Sequence, residues 1–210
     1  MTGTNKTPEP IYPHLPSIRL SGNELFTLGE QKLSFDLLSF WQWSSSDLVS
    51  NATRGRLAEY IVAMALGVTA GVRNEWDAYD LTFNALKVEV KASGYLQSWA
   101  QQRLSRPSFS IRPTRNWDPL TGLLDKDIRR QADIYVFCLH HHLEKATLNP
   151  CDLTQWSFYV LPTERLDASQ HLQKAKRINL PRLLLLQPIH TSYLHLRKAI
   201  LVCVPQLTEP

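Results

Sequence analysis

The residues able to do chemistry are concentrated between Trp76 and Lys91, in the run WDAYDLTFNALKVEVK. In its second half Leu86, Val88, Val90 and Ala92 alternate with Lys87, Glu89 and Lys91. Successive side chains of a strand point to opposite faces, so Glu89 and Lys91 are expected on one face. In the first half Tyr79, Leu81 and Phe83 point one way, and Asp80 and Thr82 the other. With Asn84-Ala85 as a hairpin tip, Phe83 faces Leu86, Thr82 faces Lys87, Leu81 faces Val88, and Asp80 faces Glu89. Two carboxylates placed so lie about 5 Å apart and repel, unless one keeps a proton or a cation sits between them. A divalent metal on Asp80 and Glu89, with Lys91 beside it, removes the conflict.

The triplet Glu-x-Lys carries little by itself. With nine lysines and 19 acids in the chain, about one acid-x-Lys match arises by chance. Glu30-Gln31-Lys32 is such a decoy, without strand alternation or an acidic partner strand. The elements around Glu89 supply the context. Gly55 to Leu66 reads as a helix with one wide apolar stripe (Leu57, Ala58, Ile61, Val62, Ala65, Leu66), and Gly67 is its C-cap. Glu59 lies at the edge of that stripe. Tyr79–Phe83 and Leu86–Ala92 read as strands, and Ser108–Ile111 as a third. Gly122–Arg130 reads as a short charged helix, Asp133–Leu139 and Trp156–Leu161 as buried strands, and Leu194–Val202 as a last helix. Upstream, Leu25–Trp43 reads as a first helix with Trp41 and Trp43 in the core, and Ser44–Asp47 as a turn with an N-cap.

Length and composition fit one domain. The 210 residues are 43% hydrophobic and 20% charged, which excludes global disorder and a fibrous repeat. Four prolines in the first sixteen residues mark residues 1–20 as an extended arm, leaving 21–210 as one domain with a core at about 51–140 and a C-terminal elaboration at 151–210. Three cysteines without a C-x-x-C pair argue against a disulfide or zinc scaffold, and His140-His141-His142 has no second ligand pair at a zinc spacing. No signal peptide or membrane span is read, so the expected compartment is the cytoplasm. P-loop, G-x-G-x-x-G, H-E-x-x-H and G-x-S-x-G motifs are all missing from the sequence.

The net charge of +4 is localised. Arg103 to Arg130 holds seven basic and three acidic residues, leaving 16 of each elsewhere. A polyanion site needs such a surplus. Arg103, Arg106, Arg112 and Arg115 are candidate phosphate contacts, and Arg54 and Arg56 flank the helix start. Gln97, six residues after Lys91, is a candidate hydrogen-bond donor to a phosphate. Tyr95 and Trp99 are candidate stacking residues.

The helix, the Asp80 strand and the Glu89-x-Lys91 strand together resemble the PD-(D/E)xK nuclease superfamily, with its restriction-endonuclease-like fold. The resemblance covers about Asn51 to Leu139. It implies an α/β fold with an αβββαβ core and a mixed sheet flanked by helices. It further implies a metal-dependent endodeoxyribonuclease in which Asp80 and Glu89 bind Mg²⁺ (Mn²⁺ as a substitute) and Glu59 completes the set. It implies, too, that Lys91 orients or activates the attacking water. The sequence departs from the family's pattern before Asp80, where Tyr79 stands in place of proline, and Asp77 stays open as the alternative acid. The stretch Asn51–Trp99 is also similar to a group of bacterial proteins with this core. The expected partner is DNA, in a homodimer or in a larger restriction or repair complex. The alternative is a nuclease-like fold that binds nucleic acid, or serves as a subunit, without cutting; carboxylates that repel are a poor thing for a retired site to keep.

Overall fold

The computed structural model describes Tyr12, residues 14–118 and residues 120–203. Most of the expected N-terminal arm, with Pro8, Pro10 and Pro13, lies outside the described residues. In chain order come a hairpin of β1 (Leu25–Leu28) and β2 (Gln31–Asp36), then α1 (Leu37–Ser45), α2 (Asn51–Leu66), β3 (Leu81–Phe83), β4 (Leu86–Gly94) and β5 (Ser108–Ser110). They are followed by β6 (Ile134–His140), β7 (Trp156–Pro162), α3 (Thr163–Asp167), β8 (Arg177–Asn179), α4 (Leu180–Leu185), β9 (Ile189–Thr191) and α5 (Leu196–Val202).

Among the described residues the main sheet has five strands in the order β3-β4-β6-β7-β9. It is mixed, with β4 parallel to β6 and the other pairs antiparallel. Every residue of β6 is buried, as a central strand covered on both faces requires. One face packs Val88, Val90, Val136, Cys138, Phe158 and Val160 against Ala58, Ile61 and Val62 of α2 and Leu196 and Ile200 of α5. The other packs Tyr135, Phe137, Leu139 and Leu161 under Phe109 and Ile178 of the two-stranded sheet β5-β8, with Leu166 of α3 and Leu183 of α4. The result is the mixed α/β architecture expected from the sequence, in three layers.

Several expected elements differ. Leu25–Trp43 begins as a hairpin and turns helical only at Leu37, where the Asp36 carboxylate caps the Ser39 N–H at 2.8 Å. Trp41 and Trp43 are 38% and 84% exposed, so neither sits in the core. Trp41 instead lies against Gly22 and lines a cleft with Tyr60 and Ala63 of α2. Gly122–Arg130 is no helix. It belongs to an arm bridged at Thr114↔Arg129 and Trp117↔Leu124 and turned by Gly122 at φ 71°. The expected third strand, β5, pairs with β8 outside the main sheet. The helix at Glu59 begins four residues early at Asn51, with Ser50 as its N-cap, and ends as expected at Gly67 in the left-handed conformation.

Candidate active site

The hairpin that carries the candidate residues has the expected register. Phe83↔Leu86, Thr82↔Lys87 and Leu81↔Val88 are paired, and Asn84 and Ala85 hold φ angles of 48° and 64°. These are the left-handed values of a two-residue turn whose twist matches its strands. Asp80 lies one residue beyond the ladder. Its backbone N–H donates to Val88 O at 3.1 Å, and its carboxylate Oδ2 accepts the Val90 N–H at 2.7 Å. The side chain thereby takes the place of a main-chain partner on β4, and the departure from the ladder brings Asp80 to the Glu89–Lys91 face.

The three residues meet there. Lys91 Nζ lies 3.6 Å from Asp80 Oδ2 and forms an ion pair with Glu89. All three side chains are at least partly buried, with 15%, 17% and 27% exposure for Asp80, Glu89 and Lys91. Glu89 pairs across to Tyr135 of β6 and Lys91 to Phe137, which places the group at the rim of the second core. Burial is the largest influence on the Glu89 carboxyl and, joined by Asp80 and Glu59, outweighs Lys91 to push it up to about 7. Burial also works to discharge Lys91, but Asp80 and Glu89 together outweigh it and hold the ammonium above its ordinary range. Lys91 is therefore a cation at neutral pH, whereas Glu89 is poised there between its protonated and ionised forms.

Two cavities adjoin this group. A cleft of about 1040 Å³ is lined by Asp80, Glu59, Arg73, Arg56, Tyr60 and Trp41, among others. A second cavity of about 240 Å³ is lined by Glu89, Lys91, Ser110, Arg112, Thr114 and Tyr135, among others. The ion pair between Asp80 and Lys91 joins one to the other.

Glu59 lines the cleft with Asp80, but both of its carboxylate oxygens are engaged by Arg73, with Nη2 3.2 Å from Oε1 and Nε on Oε2. The sequence reading did not single out Arg73; an arginine in the loop before the Asp80 strand is its only sequence signal. Asp77, the alternative acid, is exposed and accepts from Asn74 Nδ2 at 2.7 Å in its own turn. Among the described residues no three His, Cys, Asp or Glu side chains gather closely enough to share an ion. A pair of hard carboxylates converging on one cation, Lys91, does fit a metal that keeps its waters. The three histidines are engaged separately: His140 faces Gln155 at 3.3 Å, His141 faces Ser157 at 3.0 Å, and His142 faces Thr147 at 2.7 Å.

Gln97 and Arg54 sit inside. Gln97 is 6% exposed; its amide accepts from Arg54 Nη2 at 3.0 Å and donates to Gly94 O and Ser105 Oγ at 3.3 and 3.1 Å. Arg54 is 2% exposed and also donates to Asn51 and, at 3.1 Å, to Leu96 O. A Cβ at Gly94 would come within 2.6 Å of Arg54 Nη1, so this end of β4 is shaped around the guanidinium. The expected phosphate contacts at Gln97 and Arg54 are thus a buried clip between α2 and the end of β4. Arg54→Met should cost about 2–4 kcal/mol in chemical denaturation, because it strands the Leu96 carbonyl and the Gln97 and Asn51 amides. Arg103, Arg106, Arg112 and Arg115 are exposed. Arg130 is 6% exposed and clamps Ile111 O and Leu172 O at 2.9 and 2.6 Å, so it leaves the basic surface.

With this geometry in view, the comparisons with known proteins decide the family. The family model described as bacteriophage T4 endonuclease IV matches residues 36–177, the greater part of the chain. The chain belongs to that family. The matched span runs from the cap of α1 to the first residue of β8 and contains Glu59, Asp80, Glu89, Lys91 and the lining of the smaller cavity, while Ser17–Ser21 of the larger cleft lie outside it. No curated protein and no solved structure matches the chain significantly. An endonuclease family accords with the nuclease activity expected from the sequence. Among the described residues no helix is long and apolar enough to cross a membrane.

Proposed function

We propose that this protein is a Mg²⁺-dependent endodeoxyribonuclease of the PD-(D/E)xK type, hydrolysing DNA phosphodiester bonds at Asp80, Glu89 and Lys91. The observation that carries the reading is the convergence of two part-buried carboxylates on the Lys91 ammonium, at the junction of two cavities and within an endonuclease family. Asp80 and Glu89 would hold the metal, with Mn²⁺ as a substitute and Glu59 as the third carboxylate once Arg73 releases it. When bound, Mg²⁺ supplies charge neutralisation at a phosphate oxygen. Lys91 stays protonated and offers a fixed positive charge to the phosphate as negative charge builds in the transition state. Asp80 is held for its role by the Val90 N–H, so its carboxylate needs no reorganisation when substrate arrives. The exposed Arg103, Arg106, Arg112 and Arg115 supply phosphate contacts that position the strand without reading its sequence.

The hold of Arg73 on Glu59 favours a second reading, a nucleic-acid-binding or complex-subunit protein that keeps the fold without cutting. Calorimetric titration with Mg²⁺ and Mn²⁺ separates the two. The nuclease takes up metal in the wild type and loses that uptake in Asp80→Asn, whereas a pure binding module shows no uptake that depends on Asp80.

A further inference from the structure

The smaller cavity has a donor set out of proportion to its size. Of its lining groups, Glu89 is committed to Lys91, Arg130 to main-chain carbonyls and Asp167, and Gln131 to the Thr114 carbonyl at 3.0 Å. Four others keep their donors unengaged among the described residues: the Arg112 guanidinium and the hydroxyls of Ser110, Thr114 and Tyr135. Among the described residues Arg112 forms no ion pair, and Glu89, the one acid in the cavity's lining, is already paired with Lys91. Unengaged hydroxyls and a guanidinium beside an ammonium form a site for a tetrahedral oxyanion, which takes a bidentate Arg contact and several O–H donors at once.

We propose that this cavity is a phosphate subsite, holding the nucleic-acid phosphate next to the one that is cut, with Arg112 as its principal contact. The assignment rests on the reading of Asp80, Glu89 and Lys91 as the cleavage site. Position supports it. Asp80 faces the large cleft, Glu89 and Lys91 face the small cavity, and a strand crossing Lys91 from the cleft delivers its neighbouring phosphate into the cavity. At about 240 Å³ the space is large enough for a phosphate group. Arg103, Arg106 and Arg115 line neither cavity, so the structure singles out Arg112 from the four exposed arginines. The root of the segment is also rigid, because buried Arg130 ties Ile111, the residue before Arg112, to the body of the domain.

The test is calorimetric binding of the dinucleotide pdTdT, with its 5′-phosphate, against dTdT without it, to the whole protein in EDTA. Wild type should bind the phosphorylated form at least about tenfold more tightly, the increment of charge-assisted hydrogen bonds to one phosphate. Arg112→Gln should lose that increment, and Thr114→Val part of it. The charge-matched control Lys198→Gln, on α5, should keep it. Equal binding of the two dinucleotides to wild type, or an unchanged increment in Arg112→Gln, overturns the subsite. Inorganic phosphate is the third ligand. If it binds as tightly as pdTdT, the cavity is a free-phosphate site and the nucleic-acid assignment falls. Cleavage plays no part in the readout, so a failed nuclease reading and a failed subsite give different results.

Discussion

Glu89→Gln should abolish DNA cleavage and at the same time make the metal-free protein more stable at pH 8. An acid that only holds the fold together would do the reverse. Burial beside Asp80 and Glu59 raises the folded Glu89 carboxyl from 4.5 to about 7. Between those values the folded state keeps a proton that the unfolded chain has released, so stability falls as pH rises from about 4.5 to about 7 and stays lowered above. The linked cost is about 3 kcal/mol at pH 8. A neutral amide avoids it. In EDTA at pH 8 Glu89→Gln should melt on the order of 5–10 °C above wild type. At pH 4, where Glu89 is protonated in both states, the two proteins should melt together. Cleavage should drop by at least about 10³-fold, because a ligand to the metal and its transition-state charge is gone. A variant that melts lower than wild type at pH 8 would contradict the electrostatic account of the site.

Lys91→Ala is the second large effect, and its two consequences separate in the same way. The ammonium is all that stands between Asp80 and Glu89 in the metal-free protein. Removing it leaves two part-buried carboxylates facing each other, which should cost about 2–4 kcal/mol at pH 8. Cleavage should fall by about 10²–10³-fold, the range for loss of one preorganised positive contact to the transition state. DNA affinity should change only a few-fold, since the exposed arginines carry it. The double variant Lys91→Ala/Glu89→Gln should recover much of the stability and none of the activity, because a single carboxylate no longer has a like charge to repel. Recovery of activity together with stability would mean that Lys91 serves the fold rather than the chemistry.

Strand periodicity made the centre of this site legible. Alternation over Leu86–Ala92 placed Glu89 and Lys91 on one face, and the short loop at Asn84-Ala85 fixed the register that the structure shows. Strand pairing alone was expected to put Asp80 opposite Glu89, and the structure brings it there by a different route. It leaves the ladder and returns through its carboxylate, a bend that no period-two pattern encodes. Gln97 and Arg54 show where polarity misleads. Each looks like a surface contact in sequence, yet each satisfies the other inside the protein, and only the fold brings residues so far apart in the chain together. The stretch from Leu25 to Trp43 misled through its aromatics, which mark a core in most chains but here belong to a hairpin and helix with exposed faces. The basic run from Arg103 to Arg130 was visible as charge, but charge alone did not separate Arg130, buried as a clamp, from Arg112, open in a cavity beside Lys91.

The central claim is tested most directly by nicking and linearisation of supercoiled plasmid, with Mg²⁺, Mn²⁺ or EDTA, wild type beside Glu89→Gln. The account predicts cutting by wild type with either metal, none in EDTA, and none by the variant, although the variant is the more stable protein at the assay pH. Cutting that persists in Glu89→Gln, or that proceeds in EDTA, would contradict it.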